Sequence, residues 1–389
     1  VRFLGFFFIF DAGYARSLKD GYGWLPRESV SQVVLLGPAL ILGAAAARIR
    51  PEAWKRWSKV LWVVALLSLL LPMIPGIGVE MNGAKRWVKV FGPITFQPAE
   101  FAKVAVIVYL AGVFAGRAAW PSKTKPQKSA ALWMDNILIP KLIRCMPALW
   151  VLAAIVLVEK EPDLGTAAVM AAVAGAMFYL GGVSRKSFAV LALLGVVGVV
   201  FLIKQEPYRL QRILSHSSRW SSDNIDDIGF QTVQAEMAQA SGSLLGTGAG
   251  SGRAKHLLPA ATTDFMPATI GEEFGFVGMT LAVGTLALLA FRLFKLAPTA
   301  PTPFGAMILN GVGWWITIQT SVNVMMANGF LPPIGIPLPF LSSGGSSLIA
   351  LWLAIGLCQS ALTPAPAKEA SDAPDRYRWG NRRARLSRA

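Results

Sequence analysis

The chain has 389 residues, of which 54% are hydrophobic and only 15% charged, with 13 Trp and 21 Phe. A soluble chain of this length needs more polar surface to cover its core, and a disordered one lacks such aromatic content, so both classes are excluded. The formal net charge of +16 raises nucleic acid as a partner until the basic residues are placed along the chain.

Apolar runs of about 20 residues read as membrane-spanning helices. Ten such runs fall at residues 1–10, 30–47, 60–74, 99–116, 145–158, 164–183, 188–203, 274–293, 304–327 and 347–363. The expectation is an all-α polytopic membrane protein over residues 1–363, followed by a basic, disordered tail at 364–389. The first run is half a span without an initiating Met, so the chain is expected to begin inside a helix whose upstream part is absent, or on an alternative codon. It does not have the pattern of a signal peptide. Cys145 and Cys358 lie in or beside apolar runs; two cysteines are too few for a disulfide framework or a zinc site and read as packing residues.

If ten spans alternate sides, one set of connecting segments and the tail together hold 22 of the 37 basic residues against five acids, a local charge of +17, and the rest of the chain sums to −1. The positive-inside rule makes that set cytoplasmic, with both termini. The charge is therefore a topology signal, and the tail around Arg382, Arg383, Arg385 and Arg388 reads as attracted to membrane lipid rather than to nucleic acid. Outside lie residues 12–29, 75–98, 159–163, 204–274 and 328–346. The longest of these is too long for a structureless connector and too short for an ordinary domain. Residues 230–240 fit an amphipathic helix lying on the membrane. The stretch Gly246-Thr-Gly-Ala-Gly-Ser-Gly252 is no nucleotide loop, because neither a preceding strand nor a following Gly-Lys-Ser/Thr is present. It reads either as a flexible turn or as a nest for a phosphate, with Arg253, Lys255 and His256 beside it.

Ionisable residues at membrane depth cost several kcal/mol unless paired or hydrated. Glu100 and Lys103 open the fourth run at i, i+3 and can pair on one helical face. Asp163 begins the sixth run, where Pro162 and Gly165 break the helix and the link dips into a polar cavity. A structural ion-pair cluster and a role beside substrate are both open for these residues.

The motifs Gly83-Ala-Lys-Arg-Trp87, Gln97-Pro-Ala-Glu-Phe-Ala-Lys103 and Glu161-Pro-Asp-Leu-Gly-Thr166 resemble successive signatures of the SEDS family (shape, elongation, division and sporulation) of cell-wall polymerases. The resemblance continues through Tyr208-Arg-Leu-Gln-Arg-Ile213, Thr263-Asp-Phe265, Gly271-Glu-Glu-Phe-Gly275, Pro332-Pro-Ile-Gly-Ile-Pro-Leu-Pro-Phe340 and Ser343-Gly-Gly-Ser-Ser347. The glycine stretch and residues 340–347 are closer to the septal branch than to the side-wall branch.

The resemblance implies an inverting glycosyltransferase that polymerises lipid II at the outer face of the bacterial cytoplasmic membrane, with a class B penicillin-binding protein transpeptidase and other division or elongation proteins as partners. It requires no cofactor; a divalent cation at the pyrophosphate stays open. Such a reaction needs a base for the acceptor 4-hydroxyl and charge stabilisation for the departing undecaprenyl pyrophosphate. Asp264 matches the family's catalytic Asp, and Pro267 suggests a carboxylate presented at a loop-to-helix junction. Arg86, Lys103, Arg209, Arg212 and Lys255 are candidates for the phosphates. Trp87 fits either a sugar face or an interfacial anchor. Glu100 is assigned with Lys103, and Asp163 is the rival carboxylate, assigned to organising the cavity or contacting the acceptor. Two positions depart from the family pattern: Thr262 stands where many members have His, and Ser343 where many have Tyr. The first puts a proton relay through that His in doubt. A lipid II flippase would show the same broken spans but make no polymer, and a non-catalytic scaffold for the transpeptidase would tolerate loss of Asp264.

Overall fold

The computed structural model describes residues 1–364 apart from 20, 22, 82, 92, 93, 117–138, 184, 206 and 228. The tail beyond 364 and the basic stretch 117–128 lie outside the described residues, as do the side chains of Lys141, Arg144, Cys145, Arg185 and Lys186. The chain is mostly helical: α1 (Arg2–Lys19), α2 (Arg27–Arg48), α3 (Pro51–Ser68), α4 (Pro98–Gly116), α5 (Ile139–Lys160), α6 (Leu164–Leu180), α7 (Arg185–Gln205), α8 (Pro207–Ser217), α9 (Phe230–Gly242), α10 (Ala254–Leu257), α11 (Met266–Leu296), α12 (Pro303–Ala327) and α13 (Gly345–Ala361). Each of the ten apolar runs overlaps one of these helices. Five helical stretches among the described residues are long and apolar enough to cross a membrane: Arg27–Arg48, Pro51–Met73, Pro98–Ala115, Ser187–Gln205 and Met266–Thr299. Leu164–Leu180 and Gly345–Ala361 are shorter apolar helices.

Between α3 and α4 the expectation of an all-α chain needs correction. Strands β1 (Gly78–Met81), β2 (Ala84–Phe91) and β3 (Ile94–Phe96) form an antiparallel sheet in the order β1-β2-β3, with Gly78 opposite Val88 and Val88 opposite Phe96. The cause is local. Asn82-Gly83 is a hairpin-turn sequence, Gly83 takes the left-handed φ of +74° that such turns need, and the alternation Lys85, Trp87, Lys89 has the period of a strand.

The chain divides into two compact units, each discontinuous in sequence. One comprises Ala47–Val183, Phe294–Val312 and the chain from Leu357. Its centre is α4, whose Ala99, Ala102, Val106, Ile107, Leu110 and Ala111 are wholly buried. Trp62 of α3 stacks on Tyr109 with ring centroids 5.2 Å apart, and a Cβ at Gly112 would lie 2.6 Å from Ser58 Oγ. A small residue there lets the two helix backbones approach closely, as apolar helices without a hydrophobic drive between them require.

The other unit comprises Val1–Ala46, Ser184–Leu293 and Gly313–Gly356. Its α8 inverts the amphipathicity of a helix in water. Arg209, Arg212 and His216 share one face, half-buried, while Leu210, Ile213 and Leu214 are exposed. The helix expected over 230–240 is present as α9, with Val233, Ala235 and Ala238 buried and Gln239 Nε2 donating to Ala327 O at 2.6 Å. Helix α11 is interrupted at Gly275, with φ +65° and ψ −167°. The break frees the amides of Phe276 and Val277, which donate to Ser243 O at 2.9 Å and Leu244 O at 3.1 Å.

Candidate active site

Asp264 is half-buried in the turns that connect α10 to α11. Beneath it a small-residue cluster holds Ala235, Ala238, Leu258, Ala261 and Phe265. Phe265, the side chain next in sequence, is 1% exposed and anchors the turn. Three polar contacts then fix the backbone: Phe265 N donates to Ala260 O at 3.1 Å, Ser343 N to Thr262 O at 2.8 Å, and Asn323 Nδ2 to Asp264 O at 2.8 Å. Helix α11 starts two residues on, at Met266, with Pro267 in its first turn, so the carboxylate does stand at a loop-to-helix junction. Across from it runs the proline-rich segment 331–340. A Cβ at Gly335 would lie 3.7 Å from Asp264 Oδ2, and Gly335 has φ +72°. Glycine is needed at that position for the backbone conformation.

The glycine-rich stretch is knitted to α11. Gly250 N and Gly252 N donate to Glu273 at 3.0 and 2.9 Å, and Arg253 N and Ala254 N to Glu272 at 2.9 and 2.8 Å. Thr247 N and Gly248 N reach the carbonyls of the same two residues. The stretch does form a nest, and the anion in it is the protein's own pair of carboxylates. Lys255 is 3% exposed and pairs with Glu273 at 2.6 Å and Asp11 of α1 at 3.2 Å. Of the α8 arginines, Arg212 donates to Pro333 O at 2.7 Å and Arg209 to Leu202 O at 3.3 Å.

In the other unit the second group of sequence-predicted residues meets at the N-terminal end of α4 and the α5–α6 link. Glu100 and Lys103 pair at 2.9 Å, both almost wholly buried. Removing one partner of a buried pair costs roughly 3 to 5 kcal/mol because it strands the other charge. Asp163, 2% exposed, caps α6: its Oδ1 accepts from Thr166 N at 3.1 Å and its Oδ2 from Gln97 Nε2 at 2.9 Å. Arg86 on β2 donates to the carbonyls of Glu161 and Pro162, which ties the sheet to the link. Trp87, beside it on β2, is half-buried. Glu161 is 1% exposed with neither carboxylate oxygen hydrogen-bonded among the described residues. Burial, then the neighbouring Asp163, push its carboxyl up to about 9 against the opposing pull of Arg86.

The sequence-predicted residues thus fall in two sets: Asp264, Lys255, Arg209 and Arg212 in one unit, and Arg86, Trp87, Glu100, Lys103 and Asp163 in the other. Glu161, Glu272, Glu273, Gln97, Gln319 and Asn323 gained no role from the sequence. Polar residues inside apolar runs, such as Gln319 and Asn323 in 304–327, were the available signal.

Over residues 1–365 the chain matches the model of the FtsW, RodA and SpoVE cell cycle proteins. The chain belongs to this family. A probable peptidoglycan glycosyltransferase FtsW of Allochromatium vinosum is 35% identical over 333 residues, covering 85% of this chain and 79% of that protein. Stage V sporulation protein E of Bacillus subtilis is 35% identical over 306 residues, 78% of each chain. Among solved structures, a chain of a peptidoglycan synthase complex that coordinates polymerization and crosslinking superposes with a TM-score of 0.66 at 27% identity, covering 91% of this chain and 96% of that one. The rod shape determining protein RodA of Thermus thermophilus gives 0.61 at 25% identity, with 92% and 91% covered. The serial motifs all lie within the matched residues.

Proposed function

We propose that this chain is a peptidoglycan glycosyltransferase, polymerising lipid II at the outer face of the cytoplasmic membrane and acting at the septum. Relatives of this name at 33–35% identity over most of the chain support the activity. The observation that carries the mechanism is Asp264, half-buried on a turn whose backbone is held by Asn323, opposite the Gly335 segment. Asp264 acts as general base. It takes the proton of the acceptor 4-hydroxyl as that oxygen bonds to C1 of the donor sugar. The bond from C1 to the pyrophosphate oxygen breaks, and its electron pair leaves with undecaprenyl pyrophosphate, inverting C1.

Asp163 is the rival carboxylate; its two oxygens cap α6 and hold Gln97, which fits the role of organising the cavity. Lys103 and Lys255 serve by pairing with buried carboxylates. Arg86 and Trp87 remain proposed contacts for phosphate and sugar, and Arg209 and Arg212 proposed long-range positive charge, since each guanidinium also holds a backbone carbonyl. Ten spans with both termini cytoplasmic, and a class B penicillin-binding protein as partner, complete the reading; the match to a synthase complex supports the partner.

The test is polymerisation of labelled lipid II by the purified protein with its partner. Asp264→Asn is expected to abolish turnover while leaving folding and partner binding intact, because general base catalysis typically contributes about 10² to 10⁴ in rate. Long glycan chains from Asp264→Asn at near-normal rate, with none from Asp163→Asn, would move the base to the start of α6.

A further inference from the structure

The segment 331–340 contains four prolines and no regular secondary structure, so its carbonyls lack the partners a helix would supply. In an apolar setting each needs another donor. Side chains provide several of them, Arg2 of α1 donating to Phe340 O at 2.9 Å. Arg212 of α8 donates to Pro333 O at 2.7 Å, Gln319 of α12 to Pro337 O at 2.8 Å, and Asn323 of α12 to Ile336 O at 2.6 Å. Asn323 differs from the others in reaching both sides. The two hydrogens of its Nδ2 go to Ile336 O and to Asp264 O, 2.8 Å away. One planar amide, wholly buried at 0% exposure, thereby sets the distance between the backbone that carries the carboxylate and the Gly335 segment that faces it. Its Oδ1 has no hydrogen-bond partner among the described residues. The side chain is thus oriented by its donors alone, and turning it over would set an oxygen against two carbonyls.

We infer that Asn323 is a positioning residue for glycosyl transfer, acting through the backbone of Asp264. The inference rests on the reading of Asp264 as base. A carboxylate displaced by even about 1 Å from a productive geometry can cost 10²-fold in rate. The residue reaches no reacting atom itself, so its effect belongs in turnover and in the acid limb of the pH profile, where Asp264 must lose its proton.

Lipid II polymerisation by the full chain with its partner, measured as kcat, KM and kcat against pH, tests this in Asn323→Leu, Asn323→Gln, Ser342→Ala and Asp264→Asn. Ser342 Oγ accepts from Leu338 N at 2.9 Å within the same segment, so Ser342→Ala loosens the segment without removing the bridge. We expect Asn323→Leu to lower kcat about 10- to 100-fold with KM little changed and the acid limb displaced. Asn323→Gln, which keeps the donors one methylene too far out, should show a smaller loss in the same direction. Ser342→Ala should lower thermal stability with the limb unmoved. If Asn323→Leu does not fold, Asn323→Gln decides alone: a wild-type kcat and limb in it overturn the inference. A loss confined to the amount of folded enzyme, with kcat per folded molecule and the limb unchanged, overturns it equally. An active Asp264→Asn overturns the base itself, whereas an inactive Asp264→Asn beside a normal Asn323→Leu overturns only the positioning role.

Discussion

Glu161 shows what a single side chain can impose on the pH behaviour of the whole protein. Its carboxyl, on the link between α5 and α6, is held protonated up to about 9 by burial and then by Asp163, against an ordinary value of 4.5. Between those values the folded chain binds more protons here than the unfolded chain, so this group's stabilising contribution is full below pH 4.5 and is lost as pH rises toward about 9. The thermal midpoint of the detergent-solubilised protein should therefore fall on the alkaline side, and Glu161→Gln, which cannot ionise, should flatten that fall. An identical slope in the variant would assign the pH dependence elsewhere. Single residues also mark where sequence stops being readable. Glu100 and Lys103 were legible because their pairing is set by helical spacing alone. Lys255 invites a phosphate in the sequence because its partners Asp11 and Glu273 lie on other elements, and nothing local shows that its charge is already matched. Asn323 was overlooked because its two acceptors are carbonyls of distant loops.

At the scale of elements, α11 is where the fold departs most usefully from regularity. The helix had to break at Gly275 for its amides to meet the stretch from α9 and for Glu272 and Glu273 to cap the glycine-rich nest. A Cβ at Gly275 would strain a left-handed φ and lie 2.5 Å from Leu244 O. Gly275→Ala should thus lower stability by more than the ~1 to 3 kcal/mol of an ordinary strained residue, read as a drop in denaturation midpoint. A wild-type midpoint would mean that the stretch is not held by this break. The positions of the helices were legible, since a run of apolar residues in lipid leaves the backbone few alternatives. The sheet is harder to read although Asn82-Gly83 announces its turn, because a short strand-period segment between two apolar runs also fits a connecting loop. The kink was illegible for a different reason: Gly275 lies at the start of an apolar run, where glycine is common in membrane helices, and only the approach of residues 244–246 shows why it is needed.

For the molecule as a whole, everything proposed about the site depends on which side of the membrane Asp264 faces. The argument is electrostatic. With 22 basic residues and five acids on one set of connecting segments and the tail, and a balance of −1 elsewhere, the positive-inside rule orients the chain strongly. On this proposal the α10–α11 turns lie outside, on the side where the proposed lipid-linked donor would be polymerised. Ser222 and Ser251 are exposed and belong to the stretch proposed to lie outside, so cysteines introduced there in a Cys145→Ala, Cys358→Ala background should react with an impermeant thiol reagent in intact spheroplasts. A cysteine at Ser122, within the basic stretch, should react only after permeabilisation. The reverse pattern would put Asp264 in the cytoplasm, beyond reach of the proposed substrate, and would remove the base assignment and the positioning role of Asn323 together. Labelling at Ser222 and Ser251 from outside, combined with an inactive Asp264→Asn, leaves the scaffold reading without support, since a scaffold has no use for an ionised carboxylate on that face.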